Sequence, residues 1–224
     1  MRLILPVIFG LGGAALLVAL GLWQLQRLEW KEGMIADMAS RIGAPPIALP
    51  QNPDPSADNF VPVSLNGRVD GRPLRVLGAW REGGAGFRII APVETEDGRR
   101  VMVDLGIVPL DNVDREAEVA LTEGPLEITG NLNWPDDLNP GTPDPDGEIW
   151  FARDVDSMAE TLGTERMMIV ARNVVPEAGP VPVPVGLEGI PNNHLGYAIQ
   201  WFGLALVWLG MTVFLLWRIR RRTI

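Results

Sequence analysis

Imidazole chemistry in this chain of 224 residues depends on a single side chain, because the sequence contains one histidine, His194, and no cysteine. Without cysteine there is no disulfide, no thiolate metal site, no cysteine nucleophile and no covalent attachment of a c-type haem. A single histidine also excludes metal sites that need two imidazole ligands. Any haem bound by this chain would therefore have to be held non-covalently.

His194 lies at the start of an aromatic stripe on an apolar segment. Asn192 or Asn193 can cap a helix whose first turn contains His194. At 100° per residue, a sector of about 60° on one face of that helix holds His194, Tyr197, Trp201 and Trp208. A flat apolar macrocycle held by one imidazole would use such a face. The alternative is an interfacial histidine that completes the cap, beside tryptophans that contact lipid.

Glycines line nearly the opposite face of the same helix, at Gly196, Gly203 and Gly210. An apolar segment near the start of the chain has its own ridge of small residues, Gly10, Ala14 and Gly21. Small residues allow two helices to approach closely, so the sequence predicts that these ridges pack against each other. The aromatic stripe would then point away from the first helix.

Two apolar segments, residues 3–22 and 195–217, are long enough to cross the ~30 Å hydrocarbon core of a membrane. The first continues helically beyond its apolar part, which favours a retained span over a cleaved signal peptide. Four arginines follow the second span, and the positive-inside rule places them in the cytoplasm. They are Arg218, Arg220, Arg221 and Arg222. The start of the chain lacks an arginine- and serine-rich presequence. We therefore expect a bacterial inner-membrane protein with both termini, Arg2 included, in the cytoplasm.

The segment between the spans, residues 24–193, is predicted to be an acidic periplasmic domain. All 28 acidic residues lie between Glu29 and Glu188, which argues against a nucleic-acid partner. Apolar patterning predicts six strands, at 61–69, 74–80, 87–93, 100–108, 126–132 and 167–173. Residues 24–42 are predicted to continue the first helix, and a short helix at 155–162 lies between the capping residues Asp154 and Gly163.

The predicted fold class is an α+β membrane protein, with two transmembrane helices flanking a mainly antiparallel β domain with minor helix. The helices are assigned to residues 1–23 and 194–217, and a basic cytoplasmic tail to residues 218–224. An enzyme active in the periplasmic domain would need a clustered polar pocket, which the sequence does not reveal. Ser157, for example, has no histidine near it in sequence, so no hydrolytic triad can be assembled.

Three segments of the chain resemble the Surfeit-locus (Surf-one) family of cytochrome c oxidase assembly factors. Residues 191–205 resemble the C-terminal signature of that family, and they read PNNHLGYAIQWFGLA. Residues 20–31 resemble its first-span signature, and they read LGLWQLQRLEWK. Residues 86–93 and 101–109 are similar to its central strand pair, although Leu105, Gly106 and Ile107 stand where the family pattern has arginine, glycine and tryptophan.

The resemblance implies a non-catalytic role in the maturation of haem–copper oxidase, at the insertion of haem a into subunit I, with haem a synthase as a further partner. It also implies that His194 is the axial ligand of the haem iron. Given such a haem, Trp23 and Trp201 would shield the ring beside Tyr197. Arg27 would be the favoured cation for a propionate, because a guanidinium forms two parallel hydrogen bonds with a carboxylate. The alternative is a membrane scaffold that stabilises an assembly intermediate and binds no cofactor.

The arginines after the second span predict the orientation of the whole chain. A reporter that is active only in the periplasm should give no signal when it is fused after Ile224, because the positive-inside rule holds this end in the cytoplasm. Activity of that fusion would contradict the orientation.

Overall fold

A computed structural model of the chain describes residues 4–80, 84–110, 121–187 and 190–221. Within these ranges lie three helices, α1 (Ile4–Ile42), α2 (Val155–Leu162) and α3 (His194–Arg221). The strands are β1 (Ile47–Ala48), β2 (Pro62–Val69), β3 (Leu74–Trp80), β4 (Gly84–Thr95), β5 (Arg100–Pro109), β6 (Pro125–Asn133), β7 (Ile149–Trp150) and β8 (Met168–Val175). All six predicted strands and the short helix are confirmed. Arg2, Leu3 and Arg222, which entered the predictions about the spans, lie outside the described residues.

The chain forms two compact units, which are described separately. The helix unit comprises Met1–Asp37 and Leu187–Ile224, and the β unit comprises Met38–Gly186. Helices α1 and α3 are both long and apolar enough to cross a membrane. The predicted class, an α+β membrane protein, is therefore confirmed.

The β unit is built around a sheet that closes on itself. The strand order is β1-β2-β6-β8-β5-β4-β3-β7, and β2 also pairs with β4 through Gly67–Thr95, Arg68–Glu94 and Val69–Val93. This extra pairing closes β2, β6, β8, β5 and β4 into a five-stranded barrel. Most pairings are antiparallel, as predicted, and the parallel ones are β1–β2, β3–β7 and β5–β8. The sequence did not predict the closure.

Two apolar cores lie on the two sides of the barrel wall. Val101, Val103 and Ile169 belong to the interior core, whereas Met102 and Met168 on the same strands belong to a second core outside it. Helix α2 covers this outer core with four buried side chains, Val155, Met158, Ala159 and Leu162. Strands β5 and β8 are therefore buried on both faces, which explains why both read as nearly continuous apolar runs.

The ends of α2 have the caps that the sequence predicted. The Asp154 carboxylate accepts hydrogen bonds from the backbone N–H groups of Asp156 and Ser157. Gly163 adopts a left-handed conformation at the other end, with φ of 65°. These two residues limit the helix to the eight residues that cover the outer core.

A β-bulge in β5 sets the path of the chain that returns toward α3. Ile89 pairs with Gly106 and Ile90 with Asp104, so Leu105 is the extra residue. Gly106 has φ of +117°, and a Cβ atom there would lie 2.0 Å from the carbonyl oxygen of Val181. Val181 and Ile107 exchange two backbone hydrogen bonds of 2.8 and 2.9 Å. Only glycine permits this close crossing.

A second bulge, in β8, directs an arginine to the end of α1. Thr129 pairs with Asn173 and Gly130 with Ala171, so Arg172 is the extra residue. The Arg172 guanidinium donates to the carbonyl of Ile42 and, at 2.9 Å, to Oδ1 of Asn131. The buried Asn131 amide also donates to Ile42 O at 3.3 Å. A cation and an amide thereby satisfy a terminal helix carbonyl, which favours ending the helix at Ile42.

Replacing Gly106 by alanine should destabilise the β unit by about 3 kcal/mol, because the new Cβ both collides with Val181 and strains a positive φ. Gly98→Ala is the matched control, since Gly98 has φ of +79° but nothing within 4 Å of its Cβ position. That variant should cost about 1 kcal/mol from backbone strain alone. Thermal unfolding of the full chain in detergent, followed by circular dichroism, measures both. Equal melting temperatures for the two variants would contradict the crossing contact.

Candidate functional site

Helices α1 and α3 pack through a seam of residues spaced alternately three and four positions apart. On α1 the seam includes the buried residues Gly10, Ala14 and Gly21, and it continues to the half-buried Gln24. On α3 it includes His194, the buried Ala198 and Ala205, and Trp208. Such spacing keeps one face of each helix against its partner.

The contacts in this seam join small residues of α1 to large residues of α3. A Cβ atom on Gly10 would lie 2.1 Å from Cγ2 of Thr212. Cβ atoms on Gly13 and Gly21 would lie 2.4 and 2.6 Å from the rings of Trp208 and Phe202, respectively. The predicted ridge of α1 is therefore an interface, and it receives bulky side chains.

The prediction for the other helix is wrong. A Cβ atom on Gly196, Gly203 or Gly210 would meet nothing within 4 Å, so the glycine face of α3 does not contact α1. His194 and Trp208, which were expected to point away, lie on the face that contacts α1. The physical reason is that their N–H groups need acceptors in an apolar setting, and α1 supplies them.

Trp208 can reach the backbone of α1 because Gly10 has no side chain. Its indole Nε1 donates to the Gly10 carbonyl oxygen at 3.0 Å. Thr212, one turn later, donates its hydroxyl to the Trp208 carbonyl at 2.8 Å. The polar atoms in the middle of this apolar seam are thus paired within the helix unit.

His194 is paired at the other end of the seam. Its Nδ1 lies 2.8 Å from Oε1 of Gln24. Because an amide oxygen only accepts hydrogen bonds, Nδ1 is the donor, and in the neutral ring Nε2 then keeps its lone pair. Nε2 has no hydrogen-bond partner among the residues that the structure describes. The arrangement leaves one oriented imidazole nitrogen able to bind a metal.

The backbone around His194 is fixed by its position at the start of α3. The helix begins at His194, and the Tyr197 N–H donates to the Asn193 carbonyl at 3.2 Å. Asn193 therefore occupies the N-cap position, one of the two predicted. The Lys31 ammonium also donates to the carbonyl of Pro191, which ties the segment before α3 to α1.

The other predicted site residues, all within the described part of the chain, make no hydrogen bond to this pair. Trp201 is half-buried, whereas Tyr197 is 52% exposed and Trp23 is 51% exposed. Arg27 is exposed, and its guanidinium carbon lies 4.6 Å from the centre of the Trp30 ring. Of the predicted set, only His194 is brought into a polar contact with the facing helix.

Sequence reasoning missed Gln24, although a signal was present. Gln24 follows Gly10, Ala14, Leu17 and Gly21 at alternating spacings of four and three residues. A polar side chain that continues an apolar seam needs a polar partner on the facing helix. His194 is the polar residue at the facing end of the second span.

A polar cluster in the β unit was also missed. The fully buried Asp104 pairs with Arg88, and Arg153 pairs with Asp137 at 2.6 Å. Asp104 also accepts the Gly106 N–H at 3.1 Å, which stabilises the β5 bulge. Burial raises the pKa of the Asp104 carboxyl, against the opposing effect of the Arg88 guanidinium. The two carboxylates and two guanidinium groups offset one another in charge, and Arg88, Asp137 and Arg153 line a cavity of about 390 Å³.

Comparison with known proteins identifies relatives along most of the chain. The SURF1 family profile matches residues 11–206. Surfeit locus protein 1 of Rattus norvegicus is 29% identical over 206 residues, covering 83% of this chain and 67% of that protein. Surfeit locus protein 1 of Homo sapiens is 30% identical over 212 residues, covering 83% of this chain and 69% of that protein. The matched residues include Gln24 and His194, whereas Gly10, Trp208 and Thr212 of the seam lie outside the matched range.

The two glycine faces predict opposite responses to a bulky side chain. Gly10→Leu should weaken the pairing of α1 and α3 by about 2 kcal/mol, because its side chain collides with Thr212. Gly203→Leu, the matched control, should leave the pairing unchanged, because its site is open.

The absence of native cysteine allows a direct measurement of this pairing. Spin labels on Leu11→Cys and Leu206→Cys, both at exposed positions, report the distance between the helices in lipid nanodiscs. The distance distribution should broaden with Gly10→Leu and stay narrow with Gly203→Leu. The reverse result would restore the glycine face of α3 as the interface.

Proposed function

Because this chain belongs to the SURF1 family, we propose that it is an assembly factor for cytochrome c oxidase that binds haem a and assists its insertion into subunit I. The haem is held non-covalently, since the chain has no cysteine. The protein acts as a carrier and not as an enzyme. Haem a synthase is the proposed donor, because a carrier must receive its cargo from the protein that makes it.

The observation that carries this proposal is the hydrogen bond between His194 and Gln24. An iron ligand must offer a nitrogen lone pair, and the 2.8 Å contact at Nδ1 reserves Nε2 for that purpose. The residues present therefore fit a haem iron, which His194 would bind through Nε2.

The surroundings of His194 suit an apolar macrocycle with polar edges. Trp201 and Tyr197 lie on α3 and Trp23 precedes Gln24 on α1, and the side chains of Tyr197 and Trp23 are about half exposed. When bound, haem a would present an apolar ring and a farnesyl tail to these side chains and to lipid. Protein side chains of this kind shield such a ring from water.

Arg27 is the proposed partner of a haem propionate. It follows Gln24 by three residues on α1, a rise of about 4.5 Å along the helix. Its guanidinium carbon lies 4.6 Å from the centre of the Trp30 ring, and a cation–π contact of this kind leaves N–H groups for a carboxylate. We assign the propionate to Arg27 and the structural contact with Pro191 to Lys31.

The proposed setting is a bacterial inner membrane with the β unit in the periplasm. The basic end of α3, with Arg218, Arg220 and Arg221, supports a cytoplasmic C-terminus. Two spans then bring the N-terminus to the same side. His194, at the opposite end of α3 from these arginines, would lie near the periplasmic surface, where anionic propionates can remain hydrated.

Haem a occupancy of the purified full chain tests the proposal. Protein from cells that make haem a should be coloured, and His194→Ala should lose the haem absorption because no other imidazole is present. Arg27→Ala should keep the haem but bind it roughly tenfold more weakly, since one charge-assisted contact is lost. Arg218→Ala is the matched control, because it removes an exposed arginine at the far end of α3.

Each variant should first be shown to be folded by circular dichroism. A colourless wild-type protein would favour the scaffold without cofactor. Full occupancy in folded His194→Ala would remove the ligand assignment, and full affinity in Arg27→Ala would remove only the propionate assignment.

A further inference from the structure

We infer that Gln24 is a positioning residue for His194: it holds the imidazole in the tautomer protonated at Nδ1 and thereby directs the Nε2 lone pair to an incoming metal. The tautomer follows from the geometry of the helix unit alone. Its consequence for haem a rests on the proposed function.

The first argument is that the contact joins two separate helices. Gln24 lies on α1 and His194 is the first residue of α3, 170 positions later in the chain. A hydrogen bond of 2.8 Å between half-buried side chains of two elements requires that packing brings both backbones into register. It is therefore a tertiary contact and does not arise from local helix capping.

The second argument is that packing on both sides of Gln24 holds it in place. One turn before it, Gly21 lies directly against the ring of Phe202. Two turns after it, Lys31 donates to the carbonyl of Pro191. Contacts before and after Gln24 thus limit sliding of α1 along α3. A ligand that is held in this way loses less entropy when it binds.

The third argument is chemical. The amide oxygen is uncharged and accepts a hydrogen bond, so it selects the tautomer of the neutral ring. A carboxylate would do the same, but it would place a charge at the end of an apolar span, which is costly. Glutamine therefore orients the ring without adding charge to the seam.

The inference can be tested without any haem, because the single histidine makes every histidine signal that of His194. The full chain with ¹⁵N-labelled histidine, in detergent at pH 8, should show the proton on Nδ1. Gln24→Leu should convert this signal to a mixture of both tautomers. Gln26→Leu is the matched control, since Gln26 is an exposed glutamine two residues away on α1.

A wild-type signal with the proton on Nε2 would overturn the inference. So would a Gln24→Leu spectrum that matches the wild type. Gln24→Glu should keep the proton on Nδ1, which shows that the acceptor oxygen, and not the exact residue, is responsible.

Haem a titration provides the second readout. Gln24→Leu should weaken haem a binding by roughly 10- to 100-fold, as expected for loss of a group that orients a metal ligand. Gln24→Glu should restore the affinity and lower the midpoint potential of the iron, because a carboxylate makes the imidazole a stronger electron donor. Gln26→Leu should change neither quantity.

The two readouts separate the inference from the proposed function. If the wild type binds no haem a while the tautomer responds to Gln24→Leu, the positioning role stands and the haem proposal fails. If the wild type binds haem a and Gln24→Leu has the same affinity and potential, the positioning role fails and the haem proposal stands.

Discussion

Polar groups on two apolar helices must find their partners within the pair, and this constraint organises the helix unit. The Trp208 indole donates to the Gly10 carbonyl, and the His194 imidazole bonds to Gln24. Without water, an unpaired N–H group costs several kcal/mol, whereas an exposed glycine face costs little. The orientation of α3 is therefore decided by its histidine and tryptophan and not by its glycines.

The glycines of α1 contribute to the seam by leaving room for side chains of α3. Gly10 and Gly13 on α1 leave a hollow that the Thr212 and Trp208 side chains fill. Gly10 also leaves its own carbonyl open to the indole. Small residues on one helix thus receive large residues of the other, which buries more surface than glycine against glycine and satisfies a polar group at once.

In the β unit, buried polar groups also need partners, and they reach them through bulges that interrupt the strands. A bulge at Leu105 lets Asp104 accept the Gly106 N–H, and a bulge at Arg172 brings a guanidinium to the end of α1. Regular pairing would have kept the strict alternation of side chains between the two faces of the barrel wall. At both bulges a charged or polar group meets a specific partner.

Six of the eight strands that the structure describes, α2 with both caps and the two long helices could be predicted from the sequence because each depends on periodicity and capping within a few residues. The two-residue strands β1 and β7 were not predicted. His194 could be singled out because it is the only histidine. Its partner Gln24 continues the small-residue spacing of α1, but the sequence could not match it to His194, since the pairing depends on how α3 rotates against α1. The aromatic and glycine faces of α3 both follow helical periodicity, and that pattern does not tell which of them meets another helix.

Two features of the β unit also arise only when distant segments meet. They are the closure of the barrel through β2 and β4 and the need for glycine at position 106. Local chemistry determined the elements, and packing between elements decided which atoms of His194 remain available.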